Sequence, residues 1–173
     1  MKKYILLLIV AILLSATPLA TLPTTSSAAA PAAAAGGPIY KYLIHQNTGG
    51  PVACGDSLVA IYVGKRTGDV RKDTVTALKS LFSTGKNSGG LYNPLYDSKL
   101  RVRRVEFAKD KQNTQIYLGG KLVRPKTYCE SARARAMVWA TAQQFSEVRH
   151  ATIWIGSALL GDLLAPSERS YKN

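Results

Sequence analysis

The distribution of apolar residues predicts a domain built from alternating strands and helices. Residues 57–63 (SLVAIYV) form a nearly continuous apolar run with β-branched and aromatic members, which predicts a buried strand. Apolar residues then recur at three- and four-residue spacing behind Asp69 or Asp73, either of which can cap a helix. This helix is expected to pack an apolar stripe against the core: Val75, Leu78, Leu81 and Phe82.

The middle of the chain predicts a β-hairpin that follows a long loop. Residues 85–98 are rich in Gly, Asn, Pro and Ser but contain apolar side chains, so this loop is expected to pack onto the domain. Residues 100–108 (LRVRRVEFA) alternate and then slip by one position at Arg103 and Arg104, which predicts a β-bulge. Residues 114–118 (TQIYL) supply the returning strand of the hairpin.

A second helix and a last strand complete the pattern. The helix is expected over residues 131–146, and ATIWI at residues 151–155 predicts a strand. The order β-α-β-β-α-β indicates an α+β fold, a two-layer sandwich in which a small sheet carries two helices on one face. The second helix would bury one of its faces: Ala134, Val138, Thr141, Ala142 and Phe145.

The N-terminal residues have the layout of a secretory signal peptide. Lys2 and Lys3 precede an apolar run over residues 5–14, and small residues follow. An uncleaved segment would instead anchor the protein to a membrane, although about 20 apolar residues are needed to span a bilayer. The predicted organisation is a signal peptide, an Ala/Pro/Gly-rich linker and lead-in, a folded domain and a C-terminal tail, over residues 1–28, 29–50, 51–165 and 166–173.

The chain contains two cysteines, Cys54 and Cys129. In an exported protein, an even number of cysteines predicts a disulfide first. The alternatives are two free thiols or one catalytic thiol. A bridge over so long a loop would contribute about 4.5 kcal/mol to stability in the chain-entropy model.

The chain is strongly basic, with 23 Lys and Arg residues against 10 Asp and Glu residues and a formal net charge of +13. On an exported protein this charge favours anionic partners, such as wall polymers, acidic polysaccharide, lipid headgroups or nucleic acid. The alternative is charge that only keeps the protein soluble. The predicted contact surface combines basic residues around the hairpin with two loop tyrosines that could stack on a ligand: Arg101, Arg103, Lys121, Arg124, Lys126, Tyr92 and Tyr96.

Ser57 lies in GDSL, the tetrapeptide around the nucleophilic serine of many lipases and esterases. A serine esterase also needs a histidine, an acid and oxyanion donors, and the chain has two histidines, His45 and His150. In those enzymes the serine follows a strand and precedes a helix, whereas the strand predicted here comes after Ser57. An esterase is therefore the alternative to a structural role for this segment. The cysteines and histidines lack every common zinc-ligand spacing, so no metal and no cofactor is expected.

Several segments of the chain, taken in order, resemble the GerMN domain, the sporulation and spore-germination domain of bacterial envelope proteins. The matching segments lie within residues 54–164: ALKSLF, GGLYNPLYDSKLRV, TQIYLGG, AMVWATAQQF and SEVRHATIWIGSALLGDLL. The chain is similar to stand-alone secreted members with a CGDSL-like opening and a second cysteine before the second helix. The resemblance implies a fold like the ring-building domains of envelope and secretion machines, a role in binding or assembly, and no catalysis.

These features together predict a non-catalytic domain, secreted or held in the envelope of a bacterium, that binds an anionic wall polymer or an envelope protein. One alternative is a GDSL-type esterase using Ser57. The other is an extracellular nucleic-acid binder using Arg101, Arg103 and Arg104. Nucleic acid is disfavoured because aromatic and basic residues do not interleave along the chain as they do in single-strand binders. The oligomeric state does not follow from the sequence.

Overall fold

The computed structural model of the chain describes residues 36–108 and 113–165. The predicted signal peptide, most of the predicted linker, the turn at residues 109–112 and the tail at residues 166–173 lie outside the described residues. Within the described ranges, no helix combines the length and apolar character needed to cross a membrane.

Eight strands and three helices occur in the described residues. The strands are β1 Pro38–His45, β2 Ser57–Lys65, β3 Asn87–Ser88, β4 Leu91–Tyr92, β5 Lys99–Phe107, β6 Asn113–Lys121, β7 His150–Ile155 and β8 Ala158–Leu159. The helices are α1 Val70–Phe82, α2 Tyr128–Ala142 and α3 Leu160–Leu163. The predicted α+β class is confirmed, but the strands form two sheets of four rather than one small sheet.

The first sheet has the strand order β2-β1-β4-β3, so its interior strands are β1 and the short β4. Ile39, Leu43 and Ile44 of β1 are fully buried. β1 lies inside the segment that the sequence analysis assigned to a linker and lead-in, and it precedes the first strand that the apolar pattern predicted. The predicted strand order therefore missed one element at its start.

The prediction that residues 57–63 form a buried strand was wrong in its burial. The strand exists as β2, but it lies at the edge of the first sheet, paired only with β1 among the described strands. None of its residues is fully buried, and Tyr62 is 58% exposed. A run of apolar and β-branched residues indicates that a segment forms a strand. Whether that strand is buried depends on whether it has neighbouring strands on both sides.

The second sheet has the order β5-β6-β7-β8. β5 and β6 form the predicted antiparallel hairpin, and their register shifts between Val102 and Arg104, which confirms the predicted bulge. β6 and β7 run parallel, and α2 connects them, as parallel neighbours require a crossover. The inward-facing residues of this sheet include Val105, Ile116 and Ile153, which are buried.

Both long helices begin at side-chain caps that the sequence provides. Asp69 accepts hydrogen bonds from the backbone N–H groups of Arg71 and Lys72, which confirms one of the two predicted caps of α1. Thr127 caps α2 by accepting from Glu130 N, so this helix begins about one turn before the predicted residue 131. All five residues predicted for its core face are buried, but the helix ends at Ala142 rather than at the predicted residue 146, so Phe145 lies beyond it.

The helix α2 covers part of the backbone edge of β1 that β4 leaves open. β4 pairs with β1 only at Ile44, so the backbone groups nearer the start of β1 need other partners. The side-chain amide of Gln144 accepts a hydrogen bond from Tyr40 N and donates one to Tyr40 O, both at 2.7 Å. The hydroxyl of Thr141 accepts from Tyr42 N at 3.1 Å. Side chains near the end of α2 thus make the backbone hydrogen bonds that a neighbouring strand would otherwise make.

The predicted packed loop is confirmed, and it contains the short hairpin β3–β4. Leu91 and Leu95 are buried in the core. Asn93 is also buried; its amide donates to Thr84 O at 2.7 Å and its carbonyl accepts from Leu95 N at 2.9 Å. A satisfied buried amide of this kind fixes the path of a loop without regular structure.

Replacing Gln144 should test whether α2 holds the edge of β1. In Gln144→Ala both backbone groups of Tyr40 lose their partner, so the free energy of unfolding should fall by about 1–3 kcal/mol. Urea denaturation followed by circular dichroism measures this change. Gln143→Ala is the matched control, because the Gln143 side chain donates only one exposed hydrogen bond, to Arg149 O. Equal losses in the two variants would contradict the assignment.

Candidate functional site

The segment that contains GDSL is fastened to the start of α2. Cys54 and Cys129 form a disulfide with a Cα–Cα distance of 5.8 Å, across a sequence separation of 75 residues. Neither sulfur is therefore available as a nucleophile or a metal ligand while the bridge is intact. The bond joins the residues just before β2 to the first turn of α2.

An ion pair beside the disulfide makes a second connection between the same two elements. Asp56 is completely buried, and its carboxylate accepts a hydrogen bond from Arg133 Nε at 2.5 Å and another from Asn47 N at 2.9 Å. Burial alone would raise the pKa of Asp56, but the hydrogen bonds from Arg133 and Asn47 and the positive charge of Arg133 outweigh it and lower the pKa. Asp56 is therefore an anion committed to Arg133.

Ser57 has a hydroxyl partner rather than a base. Its Oγ lies 2.8 Å from the hydroxyl oxygen of Thr48. His45 is the register partner of Ser57 across β1 and β2, yet its imidazole forms no hydrogen bond within the described residues. His150 lies on β7, in the second sheet, where it pairs with Asn113. Within the described residues, Ser57 thus forms no hydrogen bond to either histidine, although His45 lies directly across from it.

Glu147, which lies three residues before His150 in the sequence, forms an ion pair with Arg66. Glu147 accepts a hydrogen bond from Arg66 Nη2 at 2.8 Å, and Arg66 Nε lies 3.3 Å from Asp73. The guanidinium of Arg66 also stacks 4.9 Å from the ring centre of Phe145. Burial by itself would raise the pKa of Glu147, but the hydrogen bond and charge of Arg66 lower it overall. This cluster clamps the residues after α2 to the turn before α1.

A different surface, the side of the second sheet that faces away from the core, carries a concentration of basic and aromatic residues. On β5 and β6 the core-facing positions alternate with exposed ones, as expected for a half-buried sheet. We define the basic–aromatic face by the outward residues of these strands and of β7: Lys99, Arg101, Arg103, Arg104, Tyr117, Lys121 and Trp154.

The centre of the basic–aromatic face is a row across three strands. Arg104 pairs with Tyr117 in the β5–β6 register, and Tyr117 pairs with Trp154 in the β6–β7 register. Neighbouring strands lie about 4.8 Å apart, so the row extends about 10 Å between its end Cα atoms. The guanidinium carbon of Arg104 lies 4.3 Å from the ring centre of Tyr117. Cation, phenol and indole are thus adjacent.

Neighbouring groups hold this row in place. The indole N–H of Trp154 donates to Gln115 Oε1 at 2.7 Å, which fixes the ring against the sheet. Arg104 Nε lies 3.0 Å from Glu106, although both side chains remain well exposed, at 59% and 46%. Arg103 lies over Gly119, and a side chain at Gly119 would collide with it. The missing side chain at Gly119 therefore lets Arg103 lie along the sheet.

The cations of this face are mostly free to bind. Within residues 36–108 and 113–165, four of these cations form no ion pair: Lys99, Arg101, Arg103 and Lys121. Exposed unpaired cations beside an indole can bind phosphate or carboxylate groups while a ring stacks on the aromatic surface. The described residues contain no group of three or more His, Cys, Asp or Glu side chains suited to a metal ion.

The structure brings together some of the predicted contact residues and separates others. Arg101, Arg103 and Lys121 lie on the basic–aromatic face. Arg124 and Lys126 are exposed on the connection from β6 to α2. They follow Lys121 closely in the sequence, but neither forms a hydrogen bond, ion pair or ring contact with Arg104, Tyr117 or Trp154 within the described residues.

The two predicted tyrosines do not belong to the basic–aromatic face. The hydroxyl of Tyr92 donates to Glu130 Oε1 at 3.1 Å, tying β4 to α2. Burial, the negative charge of Glu130 and this hydrogen bond raise the pKa of Tyr92 to about 12. Tyr96 is 37% exposed and lies under the ammonium of Lys86, 5.2 Å from its ring centre. Both tyrosines hold the packed loop.

Neither Tyr117 nor Trp154 was among the predicted contact residues, and Arg104 was named only for the nucleic-acid alternative. The sequence did contain a partial signal for the outward direction of Tyr117. In TQIYL, Gln115 and Tyr117 alternate with the buried residues of the strand. Nothing in the sequence paired Tyr117 with Trp154, because 37 positions separate them and their contact depends on a parallel register. The interleaving of aromatic and basic residues exists in space rather than along the chain.

Comparisons with known proteins do not assign a family. No protein-family model matches the chain, and no curated protein matches it. Among solved structures, a "putative lipoprotein" from Clostridium perfringens is similar with a TM-score of 0.43 and 15% sequence identity, over 70% of this chain and 76% of that one. The resemblance to the GerMN domain thus has no family-level support.

Removing the charge of Asp56 should change how stability depends on pH. A carboxylate with a lowered folded-state pKa stabilises the fold above its unfolded-state pKa, near 3.9, and this stability disappears as pH falls through the folded-state value. Asp56→Asn should therefore lower the free energy of unfolding by about 1–3 kcal/mol at neutral pH and flatten its decline in acid. Chemical denaturation at a series of pH values measures both effects.

Asp97→Asn is the control for that experiment, because Asp97 is exposed and forms no ion pair within the described part of the chain. It should leave both the stability at neutral pH and its decline in acid close to those of the unmodified protein. A wild-type acid profile in Asp56→Asn would contradict the role of the Asp56–Arg133 pair.

Proposed function

We propose that this protein is a non-catalytic exported domain that binds an anionic polymer of the cell envelope through its basic–aromatic face. The observation that carries the proposal is the row of Arg104, Tyr117 and Trp154 with unpaired cations on either side. A phosphate- or carboxylate-bearing glycan offers both chemistries that this row can recognise. Its acidic groups would contact the guanidinium groups, and its sugar rings would pack on the exposed part of the indole.

Two features support export. The N-terminal residues have the pattern of a signal peptide, with a basic start and a short apolar run. The disulfide between Cys54 and Cys129 persists only in an oxidising compartment in most organisms. An envelope or extracellular location brings the positive face of the protein into contact with acidic wall polymers.

The proposal includes the absence of catalysis, and it is compatible with a GerMN-like role in binding or assembly. The absence of catalysis is supported by the contacts of the residues that resemble catalytic groups, because each of them has a structural partner. Asp56 pairs with Arg133, the Ser57 hydroxyl pairs with Thr48, and both cysteines are in the bridge. An envelope protein remains the alternative partner, and it would be identified by binding that survives removal of the wall polymer.

The basic–aromatic face should account for binding to purified cell wall. We expect Arg103→Ala/Arg104→Ala to weaken binding by about twofold to thirtyfold, since each of the two exposed charge contacts contributes about 0.2–1 kcal/mol. Wild-type binding should also weaken steeply with added salt, because exposed charges are screened. Co-sedimentation with walls, before and after chemical extraction of their anionic polymer, measures both effects.

The matched control is Lys65→Ala/Arg135→Ala, which removes two exposed cations that lie outside the face. It reduces the net charge equally and should bind nearly as well as the unmodified protein. Equal weakening by both double variants would indicate binding by net charge alone and would contradict the proposed face. Stronger binding to single-stranded oligonucleotide than to wall polymer would favour the nucleic-acid alternative.

Ester hydrolysis should be independent of Ser57. Because its hydroxyl has Thr48 rather than a histidine as its partner, we expect Ser57→Ala to leave the hydrolysis of a short-chain nitrophenyl ester at the same low level as in the unmodified protein. The measurement is the release of nitrophenol under steady-state conditions. Substantial turnover that disappears in Ser57→Ala would overturn the non-catalytic assignment.

A further inference from the structure

A groove between α1 and β5 forms a second candidate binding surface. It has a volume of about 430 Å³ and is lined by one flank of α1 and by residues 100–102 of β5. Pockets that bind ligands commonly have volumes of about 300–1,000 Å³. The helical lining residues follow one another at helical spacing, so they form a continuous wall: Val75, Lys79, Phe82 and Ser83.

The strand side of the groove provides backbone groups as well as side chains. β5 is the end strand of its sheet, and none of the groove residues belongs to β6, its neighbour. The groove therefore lies along the edge of β5 that has no strand partner among the described residues. Such an edge can accept an added strand through main-chain hydrogen bonds.

The side chains around the groove indicate what kind of strand would fit. Val75, Phe82 and Val102 are only partly buried, so they leave apolar surface for the partner's side chains. Lys79 and Arg101 are exposed on its two sides, and neither forms an ion pair within the part of the chain that the structure describes. Apolar surface between two free cations complements an extended segment that alternates apolar and acidic residues.

We propose that this groove binds an extended acidic peptide segment of a partner protein, which adds to the edge of β5 alongside Lys99–Val102. The bulge between Val102 and Arg104 interrupts the edge and limits the pairing to a short segment. Charge disfavours a second copy of this chain as the occupant, because two β5 strands would bring together their basic residues. Arg101 is common to the groove and the basic–aromatic face, but none of the three residues of the row Arg104–Tyr117–Trp154 lines the groove.

A defined peptide tests this proposal directly. The probe is a short fluorescein-labelled peptide of alternating aspartate and valine, titrated with the purified protein and followed by fluorescence anisotropy. We expect saturable binding, and none to the same peptide with lysine in place of aspartate. Amide hydrogen exchange measured by NMR should slow at Lys99–Val102 on binding, because the added strand occupies these backbone groups.

Variants assign the binding to the groove. Ser83→Trp should fill it and weaken binding by at least about tenfold, and Lys79→Glu should weaken binding by about threefold to tenfold. Arg135→Glu, an equal charge change on an exposed position of α2, should leave affinity within about twofold of the unmodified protein. Lys79 is exposed, so Lys79→Glu should leave the fold intact and still tests the groove if Ser83→Trp disturbs folding.

The result that would overturn the inference is distinguishable from failure of the polymer proposal. Arg104→Ala removes a residue of the basic–aromatic face that does not line the groove, and it should not weaken peptide binding. Equal loss in Arg104→Ala and Lys79→Glu, no saturable binding, or unchanged exchange at Lys99–Val102 would each contradict peptide addition to β5. Concentration-dependent dimerisation that Ser83→Trp abolishes would assign the groove to self-association instead.

Discussion

The need to satisfy the buried edge of β1 is the constraint on which the arrangement of this fold depends. β4 covers that edge only at Ile44, and the backbone groups of Tyr40 and Tyr42 would otherwise be left without partners. Gln144 and Thr141 of the α2 region supply them. Because α2 is also the crossover between β6 and β7, the same helix that completes the first sheet connects two strands of the second. Losing these contacts would leave polar backbone groups unsatisfied in a partly buried place, at a cost of about 1–3 kcal/mol each.

The opposite end of α2 is held by a different set of contacts, and this set explains the GDSL segment. The disulfide from Cys54 to Cys129 and the ion pair from Asp56 to Arg133 join the start of β2 to the first turns of α2. Cys54 and Asp56, two residues of a kind that often takes part in catalysis, thus both form contacts that hold the fold together. The bridge closes a long loop and thereby constrains the unfolded chain, and removal of either partner of the ion pair would leave an uncompensated charge in a buried place.

One face of the second sheet is directed towards the core, its other face carries the basic–aromatic residues, and the outer edge of β5 has no strand partner among the described residues. β5 contributes to both, because Arg103 and Arg104 lie on the basic–aromatic face and the edge at Leu100–Val102 lines the groove. Arg101 belongs to both surfaces, so binding of an acidic polymer and of an acidic peptide would compete for one guanidinium. The register shift of β5 lies between the groove residues Leu100–Val102 and Arg104, and pairing with β6 resumes beyond it.

The sequence by itself determined the local elements: the caps of the helices, the hairpin with its bulge, the packed loop and the two positions of the cysteines. These depend on interactions between residues close along the chain, or on periodicity, and both can be read from residue order. Only the tertiary structure decided that β1 is an interior strand and β2 an edge strand, although β2 has the more continuous apolar run. It alone placed Tyr117 beside Trp154 and moved Tyr92 away from the arginines. Such pairings depend on which distant segments become neighbours, and a parallel register across a helical crossover has no local signature in the sequence.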